Sequence, residues 1–526
     1  MAAEGVEHMN KRYQEAFDLI KYVFKIDELY DDQMKLIKAF CNGQNIFFNA
    51  PTGYGKSIVF QSLPWVYDIL QEQTIGISTL IVISPLKSLM EDQCNHMKEI
   101  GIPSIALYSE NSSNASASDR EYENILKNVR EGEYSLVFAF PECLLGKKAW
   151  RNILCSEEFR DHCIGVAYDE AHIIAQWGSD ATGKKPFRKW YGELNEFKCL
   201  LDPETKFALF TATATQQTKM KVIGMLDIDI SETLFIEKNP ERKNIRYCVE
   251  YVESDKEVIG MFYSIINELI EKKETCSWRL IYTQTRNQYA TIYSAFCSDL
   301  GNNIYLNCEA NPRFRLVDMF HGGTPESVKK HIVAQLAIPD SCLRVVICTV
   351  AFGMGVNCSN VNKSIQFGVP KSLEAYIQES GRIGRNGSTS ISRILYNAML
   401  LRGADHQMRN YIKETQCRRH SHMKKFENYK QEKSSGCQCC DNCAKSCKVF
   451  GDTKEDFGSL NLLDIDQSMD SLPDEWISIR DDSEAEDLAL WDSYMLQSFQ
   501  DCSQVTHEDD NENNMEQSLA ESSFIE

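Results

Sequence analysis

The chain of 526 residues lacks a long uninterrupted apolar run. No stretch approaches the roughly eighteen consecutive apolar residues that a membrane helix needs. The first residues, MAAEGVEHMNKRYQEAF, also lack the apolar core of a secretory signal. Membrane partners are therefore not expected, and we expect the protein in the nucleus, or in the cytoplasm if its source is prokaryotic.

The spaced cysteine framework of a small secreted protein is also lacking. The chain has 20 cysteines, but most of them stand singly inside apolar segments. Isolated cysteines in a long chain are typical of reduced core residues in a reducing compartment. The composition, 43% apolar and 25% charged, is that of an ordinary soluble protein, and the length predicts several domains.

Positive charge is almost absent from the last part of the chain. Residues 451–526 hold 22 Asp and Glu against 2 Lys and Arg, which leaves 54 charges of each sign in residues 1–450. Such a segment cannot bury enough apolar surface to order itself, so we predict a disordered acidic tail. Because the remainder is neutral, a basic groove for nucleic acid is not excluded. The tail is either a solubilising segment or docks a protein partner through one helix face, formed by Leu488, Trp491, Met495 and Phe499.

What is present is a glycine-rich stretch, APTGYGKS, that follows an apolar run and precedes a helical segment. Its glycines let backbone N–H groups converge on phosphate oxygens, its lysine reaches the β and γ phosphates, and its serine hydroxyl can ligate Mg²⁺. A glycine turn without function is the alternative, which the preceding strand disfavours. The stretch therefore predicts a nucleoside triphosphate site made by Thr52, Gly53, Gly55, Lys56 and Ser57.

Several apolar runs alternate with helical segments after this stretch, which indicates a parallel sheet covered on both faces. Functional residues of such sheets lie at the carboxyl ends of the strands. One run leads directly into Asp169, predicted to hold Mg²⁺, and Glu170, predicted to polarise the attacking water. A solvated turn is the alternative. Another run leads into 211–215, TATAT, whose hydroxyls either relay to a second domain or cap a helix.

A second alternating series begins after Asn239-Pro240 and predicts a second α/β domain. Beyond residue 400 the strand pattern stops, and a polar helical segment leads into a cysteine-rich segment. We therefore predict an α/β protein with a first domain at 1–215, a linker at 216–240, a second domain at 241–400, a zinc module at 401–450 and the tail at 451–526.

The cysteine-rich segment reads Cys-Gln-Cys-Cys-Asp-Asn-Cys. Cys437, Cys440 and Cys443 recur at intervals of three, so their thiolates can face one centre, with Cys417 as the fourth ligand. Four thiolates make a closed structural Zn²⁺ site with no open position for catalysis. Cys439 and Cys447 are spare thiols that could replace a ligand, and a disulfide is disfavoured.

The segments FNAPTGYGKS, VISPLKSLMEDQ, FAFPE, DEAHIIAQWG and FTATAT resemble, in this order, the motifs of superfamily 2 helicases. The QWG after DEAH and the CxxCDNC cysteines are similar to the RecQ family of DNA helicases. The resemblance implies two RecA-like domains with ATP and Mg²⁺ in the cleft. It also implies ATP-dependent unwinding of duplex DNA with 3′–5′ polarity, in DNA repair, recombination or replication, with single-stranded and forked duplex DNA as the partners. An RNA-directed ATPase and a nucleic-acid-binding scaffold with a vestigial ATPase are the alternatives.

The resemblance also assigns roles to single residues. Gln33 matches the adenine-reading glutamine and Phe24 the aromatic that starts its motif, although Tyr30 replaces the basic residue usual beside it. In the family, two arginines of the QESGRIGRNG segment face the ATP held by the first domain. The residues so implied are Gln378 for nucleotide binding and Arg382 and Arg385 for catalysis.

The implied nucleic-acid contacts lie in three segments, one of which, FAFPE, ends in Pro141 and Glu142. Ser84 and Lys87 fall in a segment that contacts the DNA backbone in the family, and Trp177, Phe187 and Arg188 fall in the aromatic-rich loop that couples DNA to hydrolysis. That loop departs from the family pattern by added residues before the phenylalanine. Its mixture of cations and aromatics suits backbone attraction and base stacking, or else the aromatics pack under a surface loop. The winged-helix domain that often follows the zinc module in the family is not expected within this chain.

Overall fold

The structure is a computed structural model of the chain. It describes residues 2–108, 118–178, 186, 188–252, 255–308, 311–349, 352, 358, 360–426 and 438–446. The chain divides into two compact units, the first built from Met1–Glu241 with a short stretch beginning at Met423, and the second from Arg242–His422 with the cysteine-rich residues that follow. Among the described residues, no helix is long and apolar enough to cross a membrane.

The first unit is a parallel sheet whose strand order is β3-β4-β2-β5-β6-β1-β7 among the described residues. Its strands are β1 (Asn45–Asn49), β2 (Thr79–Ile83), β3 (Ser104–Leu107), β4 (Leu136–Ala139), β5 (Cys163–Tyr168), β6 (Lys206–Thr211) and β7 (Thr233–Glu237). Its helices are α1 (Ala2–Phe24), α2 (Asp31–Cys41), α3 (Lys56–Leu70), α4 (Lys87–Glu99), α5 (Ser118–Arg130), α6 (Pro141–Leu144), α7 (Lys148–Leu154), α8 (Glu157–His162), α9 (His172–Trp177), α10 (Phe197–Leu200) and α11 (Gln216–Leu226).

Burial on both faces explains the apolar strands of this sheet. Every residue of β1, β2 and β4 is buried, and apolar residues of α1, α2 and α3 pack against them in one core. At about 25 cal/mol per Å² of apolar surface removed from water, such strands are stable only between two helical layers. The carboxyl ends of β1, β6, β5 and β2 are neighbours, and the motifs predicted to bind nucleotide follow these ends.

The residues predicted as a linker, 216–240, differ from that prediction. They form α11 and β7, and β7 pairs in parallel with β1 along its whole length. The division between the units falls instead at Glu241 and Arg242. The linker prediction failed because β7 is an edge strand whose half-buried side chains, Thr-Leu-Phe-Ile-Glu, give a weak apolar signal.

The second unit holds another parallel sheet, of order β10-β11-β9-β12-β13-β8 among the described residues. Its strands are β8 (Ile245–Tyr251), β9 (Arg279–Thr283), β10 (Val317–Phe320), β11 (Val345–Cys348), β12 (Lys363–Phe367) and β13 (Ser390–Tyr396). The helices that follow in the chain are α12 (Asp255–Lys272), α13 (Arg286–Leu300), α14 (Glu326–Ala337), α15 (Leu373–Ser380), α16 (His406–Ile412), α17 (Arg418–Met423) and α18 (Asp441–Lys445). Two parallel α/β domains were predicted, and that fold class is confirmed.

Candidate nucleotide site, nucleic-acid interface and metal centre

The glycine-rich stretch forms a loop between β1 and α3. Gly53 and Gly55 have φ of +87° and +72°, the left-handed region that a residue with a side chain rarely adopts. The Lys56 Nζ donates hydrogen bonds to the carbonyls of Ala50 at 2.9 Å and Pro51 at 3.3 Å, so the loop curls around the amine. This is the strand, turn and helix arrangement that a phosphate-binding loop requires. Thr52 on the loop is exposed, and Ser57 in the first turn of α3 is half-buried.

Gln33 on α2 lies against this loop and is only 4% exposed. Its Nε2 donates to the carbonyls of Tyr54 at 3.3 Å and Gly55 at 3.0 Å, while its Oε1 accepts from the Tyr30 N–H at 2.8 Å. A Cβ added at Gly55 would collide with this amide, so the glycine is needed for a close approach as well as for its φ. Phe24, at the end of α1, is half-buried against the same core. The structure thus brings the predicted adenine-reading glutamine onto the phosphate loop.

Asp169 and Glu170 follow β5. Asp169 Oδ2 accepts a hydrogen bond from Gln93 Nε2 at 3.2 Å, and Oδ1 accepts from the Glu170 N–H at 3.0 Å. Burial, then the neighbouring Glu170 charge, raise the pKa of Asp169 to about 6. Such a carboxylate is held in place and favours a cation beside it. Asp169 and Ser57 are the residues that would hold Mg²⁺, which supplies charge neutralisation at the phosphates.

His172 connects the acidic pair to the next strand. Its Nδ1 lies 3.1 Å from the Thr211 Oγ1 and 3.4 Å from a Glu170 carboxylate oxygen. The Thr211 hydroxyl, at the end of β6, also accepts from the Thr213 N–H at 3.3 Å. Thr215 caps α11 by accepting from the Thr218 N–H, which agrees with the helix-cap interpretation for this one threonine. The TATAT segment therefore both contacts the acidic pair and begins a helix.

Arg188 is the centre of the predicted aromatic-rich loop, and it is docked rather than extended toward solvent. Its guanidinium pairs with both carboxylate oxygens of Glu142, at 2.7 and 3.0 Å, and donates to the Pro85 carbonyl at 3.0 Å. It also lies 4.7 to 5.4 Å from the ring centroids of three aromatic residues, Phe140, Trp177 and Tyr191. The structure therefore joins the aromatic-rich loop to the two other segments predicted to contact DNA.

The remaining predicted nucleic-acid residues differ in accessibility. Lys87, at the start of α4, is exposed, and its Nζ lies 4.4 Å from the ring centroid of Tyr108. Ser84 is fully buried, so its side chain lies beneath the surface on which a DNA backbone would rest. The Ser84 carbonyl accepts from the Tyr191 hydroxyl at 3.4 Å. Phe187 lies outside the described residues.

In the second unit, the predicted catalytic arginines follow α15, which ends at Ser380. Arg382 is 4% exposed, and Arg385 is half-buried, with its pKa lowered by burial. Buried Glu379 stands beside them, and burial raises its pKa to about 8 although the Arg382 charge acts the other way. Gln378, on the same helix, is half-buried. The arginines thus lie in the turns after the helix rather than on it.

Four thiol groups converge in the second unit, those of Cys417, Cys439, Cys440 and Cys443, with all four sulfurs within 4.8 Å of one another. Hydrogen bonds from the neighbouring thiols, that of Cys439 first, lower the pKa of Cys417 to about 2. Four converging sulfurs fit a closed tetrahedral Zn²⁺ site. The structure assigns Cys439, predicted to be a spare thiol, to this cluster, and the predicted ligand Cys437 lies outside the described residues.

Hydrogen bonds around the cysteines hold the cluster to the sheet. Arg418 Nε pairs with Asp441 at 2.6 Å, and the other carboxylate oxygen of Asp441 accepts from the Val249 N–H at 3.2 Å on β8. The Asn442 amide donates to the carbonyls of Glu414 and Gln416, both at 2.8 Å. Such partners orient metal ligands and are part of a metal site.

Three residues that the structure adds to the nucleotide site had no signal in the sequence. Gln93 contacts Asp169, Asp32 contacts the phosphate loop, and Lys238 contacts Asp32. Gln93 stands inside the quoted VISPLKSLMEDQ motif, but only the packing of α4 against β3 and β4 brings it to the acidic pair. The other two are surface-type charges whose partners are distant in sequence.

Two family profiles match the chain. The profile described as DEAD/DEAH box helicase matches residues 30–221, and the one described as helicase conserved C-terminal domain matches residues 263–387. Together they cover most of both sheets. A structural similarity agrees with them: the DNA-bound DUF1998 helicase MrfA superposes with a TM-score of 0.53 at 17% identity, over 72% of this chain and 51% of that one, which shows the fold alone.

The curated proteins that resemble this chain include RecQ and WRN helicases and one RNA helicase. The ATP-dependent DNA helicase RecQ of Bacillus subtilis is 29% identical over 73% of this chain, and the bifunctional 3'-5' exonuclease/ATP-dependent helicase WRN of Mus musculus is 29% identical over 77%. A provisionally named ATP-dependent RNA helicase, R290 of Acanthamoeba polyphaga mimivirus, is 27% identical over 83%. The chain spans 56%, 28% and 73% of the lengths of these three proteins, respectively.

The phosphate loop after β1, the acidic pair after β5 and the two parallel sheets are thus accounted for by one family. The predicted helicase class is confirmed, and ATP with Mg²⁺ follows from it. The chain belongs to the superfamily 2 helicases, with a DEAD/DEAH box domain and a helicase C-terminal domain, and it is of RecQ-like type.

Proposed function

We propose that the protein is an ATP-dependent DNA helicase that unwinds single-strand-tailed and forked duplex DNA with 3′–5′ polarity, in DNA repair, recombination or replication. The observation that carries the proposal is the docked Arg188. It links the aromatic-rich loop to Pro85, in the segment between β2 and α4, and to Glu142. All of these lie within the unit that also holds the nucleotide site. A nucleic-acid strand that moves this loop therefore acts on elements that adjoin Asp169.

The physical route from the loop to the hydrolytic residues is short. Arg188 contacts the chain segment that joins β2 to α4, and α4 carries Gln93, which donates its hydrogen bond to Asp169. A shift of α4 by a fraction of an ångström would weaken that bond. Because transition-state stabilisation depends on group positions, nucleic-acid binding at the loop can in this way control hydrolysis at the acidic pair.

A closed zinc module favours DNA over RNA as the substrate within this proposal. The four converging thiols and the QWG sequence are the features that resemble the RecQ family, and the relatives named as DNA helicases include the Haemophilus influenzae and Bacillus subtilis proteins. RNA-directed hydrolysis is the second candidate, because one relative is named as an RNA helicase. A nuclear location is part of the same proposal, and so is a protein partner for the acidic tail, which lies outside the described residues.

Hydrolysis measured on the full chain with no nucleic acid, with single-stranded DNA, or with RNA of equal length tests the substrate. We expect DNA to stimulate hydrolysis several-fold more than RNA does. Lys56→Ala should weaken ATP binding and turnover, and Glu170→Gln should slow hydrolysis by about 10²–10⁴-fold while ATP stays bound. Greater stimulation by RNA would replace the DNA proposal with the second candidate.

Polarity needs a separate assay. Duplexes that carry a single-stranded tail at only the 3′ end or only the 5′ end should be unwound when the tail is 3′, with Glu170→Gln as the inactive control. Unwinding of the 5′-tailed duplex alone would contradict the proposed direction. Stimulated hydrolysis without any strand separation would support a translocase or scaffold instead.

A further inference from the structure

Tyr54 stands between the two glycines of the phosphate loop, and its side chain is held by residues from two other elements. Its hydroxyl donates a hydrogen bond of 3.0 Å to Asp32 Oδ2, and the same oxygen lies 2.6 Å from the Lys238 Nζ. Asp32 is in the first turn of α2, the helix that carries Gln33, and Lys238 directly follows β7. One carboxylate therefore joins the phosphate loop, the glutamine-bearing helix and the last strand of the first sheet.

We call the contact between Tyr54, Asp32 and Lys238 the tether. The burial and charges of these residues are typical of a fixed contact and not of a chance contact on the surface. The Asp32 side chain is only 15% exposed. Burial raises the pKa of Asp32, but the hydrogen bonds from Lys238 and Tyr54 outweigh burial and hold that pKa below its ordinary value. The Lys238 N–H donates to the Asn49 carbonyl at 2.7 Å, so the backbone of the lysine is fixed at the end of β1, where the loop begins.

The ring of Tyr54 packs between an exposed aromatic ring and a buried one. It lies 5.0 Å from the ring of Tyr30, which is 54% exposed beside Gln33, and edge-on at 5.9 Å to the buried ring of Phe48. The backbone carbonyl of Tyr54 also accepts from Gln33. The side chain and the backbone of Tyr54 are thus both bound to α2, the helix that carries Gln33.

A glycine-rich loop must lose conformational freedom when it closes on phosphates, and that loss weakens binding. A side-chain tether that restricts the loop before the nucleotide arrives reduces this cost. The Lys56 amine holds the start of the loop through its hydrogen bonds to the Ala50 and Pro51 carbonyls. The tether holds the middle of the loop through Tyr54.

We infer that the Tyr54–Asp32–Lys238 tether preorganises the phosphate loop, so that Tyr54 and Lys238 are positioning residues for ATP. The inference rests on the nucleotide site of the proposed function and extends that site to the strand that follows α11. The chemical class of the ligand is a nucleoside triphosphate with its Mg²⁺. The competing account is that the ion pair only anchors the end of β7.

Direct titration of the full chain with ATP and Mg²⁺ by calorimetry tests the tether, with Tyr54→Phe and Lys238→Met as variants. Each should raise the Kd for ATP by about three- to ten-fold, about 0.7–1.4 kcal/mol. In turnover assays the KM for ATP should rise by a similar factor, while kcat at saturating ATP changes less than about two-fold. Lys238→Arg should restore most of the affinity, because it keeps the ion pair with Asp32.

Lys198→Met is the matched control. Its ion pair with Asp227, at 3.1 Å, lies in the same unit, and Lys198 and Lys238 are 34% and 39% exposed. Thermal melting of each variant without nucleotide measures the anchoring role. The tether is supported if ATP affinity falls in Tyr54→Phe and Lys238→Met while melting temperatures match that of the control.

Three results would overturn the inference. One is an unchanged Kd in both variants, another is an equal loss of affinity in Lys198→Met, and the third is a lower kcat with unchanged KM. Since Kd is measured without turnover, the two proposals can fail separately. A chain that shows the expected loss of affinity but no nucleic-acid-stimulated hydrolysis supports the tether and refutes the helicase proposal, whereas an unaltered chain that binds no ATP refutes both.

Discussion

Removing the Lys219 charge should destabilise the first unit strongly, because the lysine pairs with Glu237 in a site from which water is excluded. The two side chains are 7% and 6% exposed, and the Nζ lies 2.5 Å from a carboxylate oxygen. The lysine stands on α11 and the glutamate ends β7, so this pair joins the helix and strand that the sequence placed in a linker. Lys219 Nζ also lies 5.3 Å from the ring centroid of Phe235 on the same strand.

The magnitude follows from the burial. Lys219→Met removes the lysine partner of the buried Glu237 carboxylate, and removing one partner of a buried ion pair typically costs about 3–5 kcal/mol. An exposed pair is worth only about 0–1 kcal/mol, so Lys198→Met, which breaks the pair with Asp227, is the control. The double variant Lys219→Met with Glu237→Leu removes both charges and should recover most of the lost stability, since apolar replacements of a buried pair are often neutral.

Urea unfolding of the full chain, followed by circular dichroism, measures these differences. With about 2–4 °C in Tm per kcal/mol for a unit of this size, Lys219→Met should also lower the melting temperature by roughly 6–20 °C. A loss below about 1 kcal/mol, equal to that of the exposed control, would refute the reasoning. So would a double variant that is as unstable as Lys219→Met alone, because the penalty would then not come from the buried Glu237 charge.

Three further outcomes are expected. Arg188→Ala, and also Arg188→Lys, should reduce DNA stimulation of hydrolysis more than basal hydrolysis, because a lysine cannot make the two-pronged pair with Glu142; equal loss of both activities would indicate packing alone. Gln93→Ala and Gln93→Glu should both raise the Mg²⁺ concentration needed for half-maximal hydrolysis, but by different amounts, because the glutamate places a second negative charge beside Asp169. Identical Mg²⁺ titration curves for both variants and the unaltered chain would remove Gln93 from the site. Cys439→Ser should lower bound zinc well below one ion per chain by metal analysis and destabilise the second unit, as chelation should; full zinc content in the variant would return this residue to a spare role.

Local patterns predicted the parts of this protein whose physical cause is local. Two glycines before Lys56 permit the left-handed backbone that such a loop needs, and the loop adopts it at Gly53 and Gly55. Continuous apolar runs must be buried on both faces, so the parallel sheets followed from the chain itself. The same reasoning placed Asp169 and Glu170 at a strand end. Ion pairs between distant surface-type charges leave no such trace.

Tertiary structure alone decided the contacts that link these parts. Edge strand β7 has half-buried side chains, so its segment looked like a linker until its pairing with β1 fixed it in the sheet. Arg188 was predicted to contact DNA, yet its guanidinium pairs with both carboxylate oxygens of Glu142, which lies 46 positions away in the chain. Spacing made Cys439 a spare thiol, whereas the fold places its sulfur 3.5 Å from that of Cys417. Spacing along a chain restricts which side chains can meet, but the packing of helices on the sheets selects the ones that do.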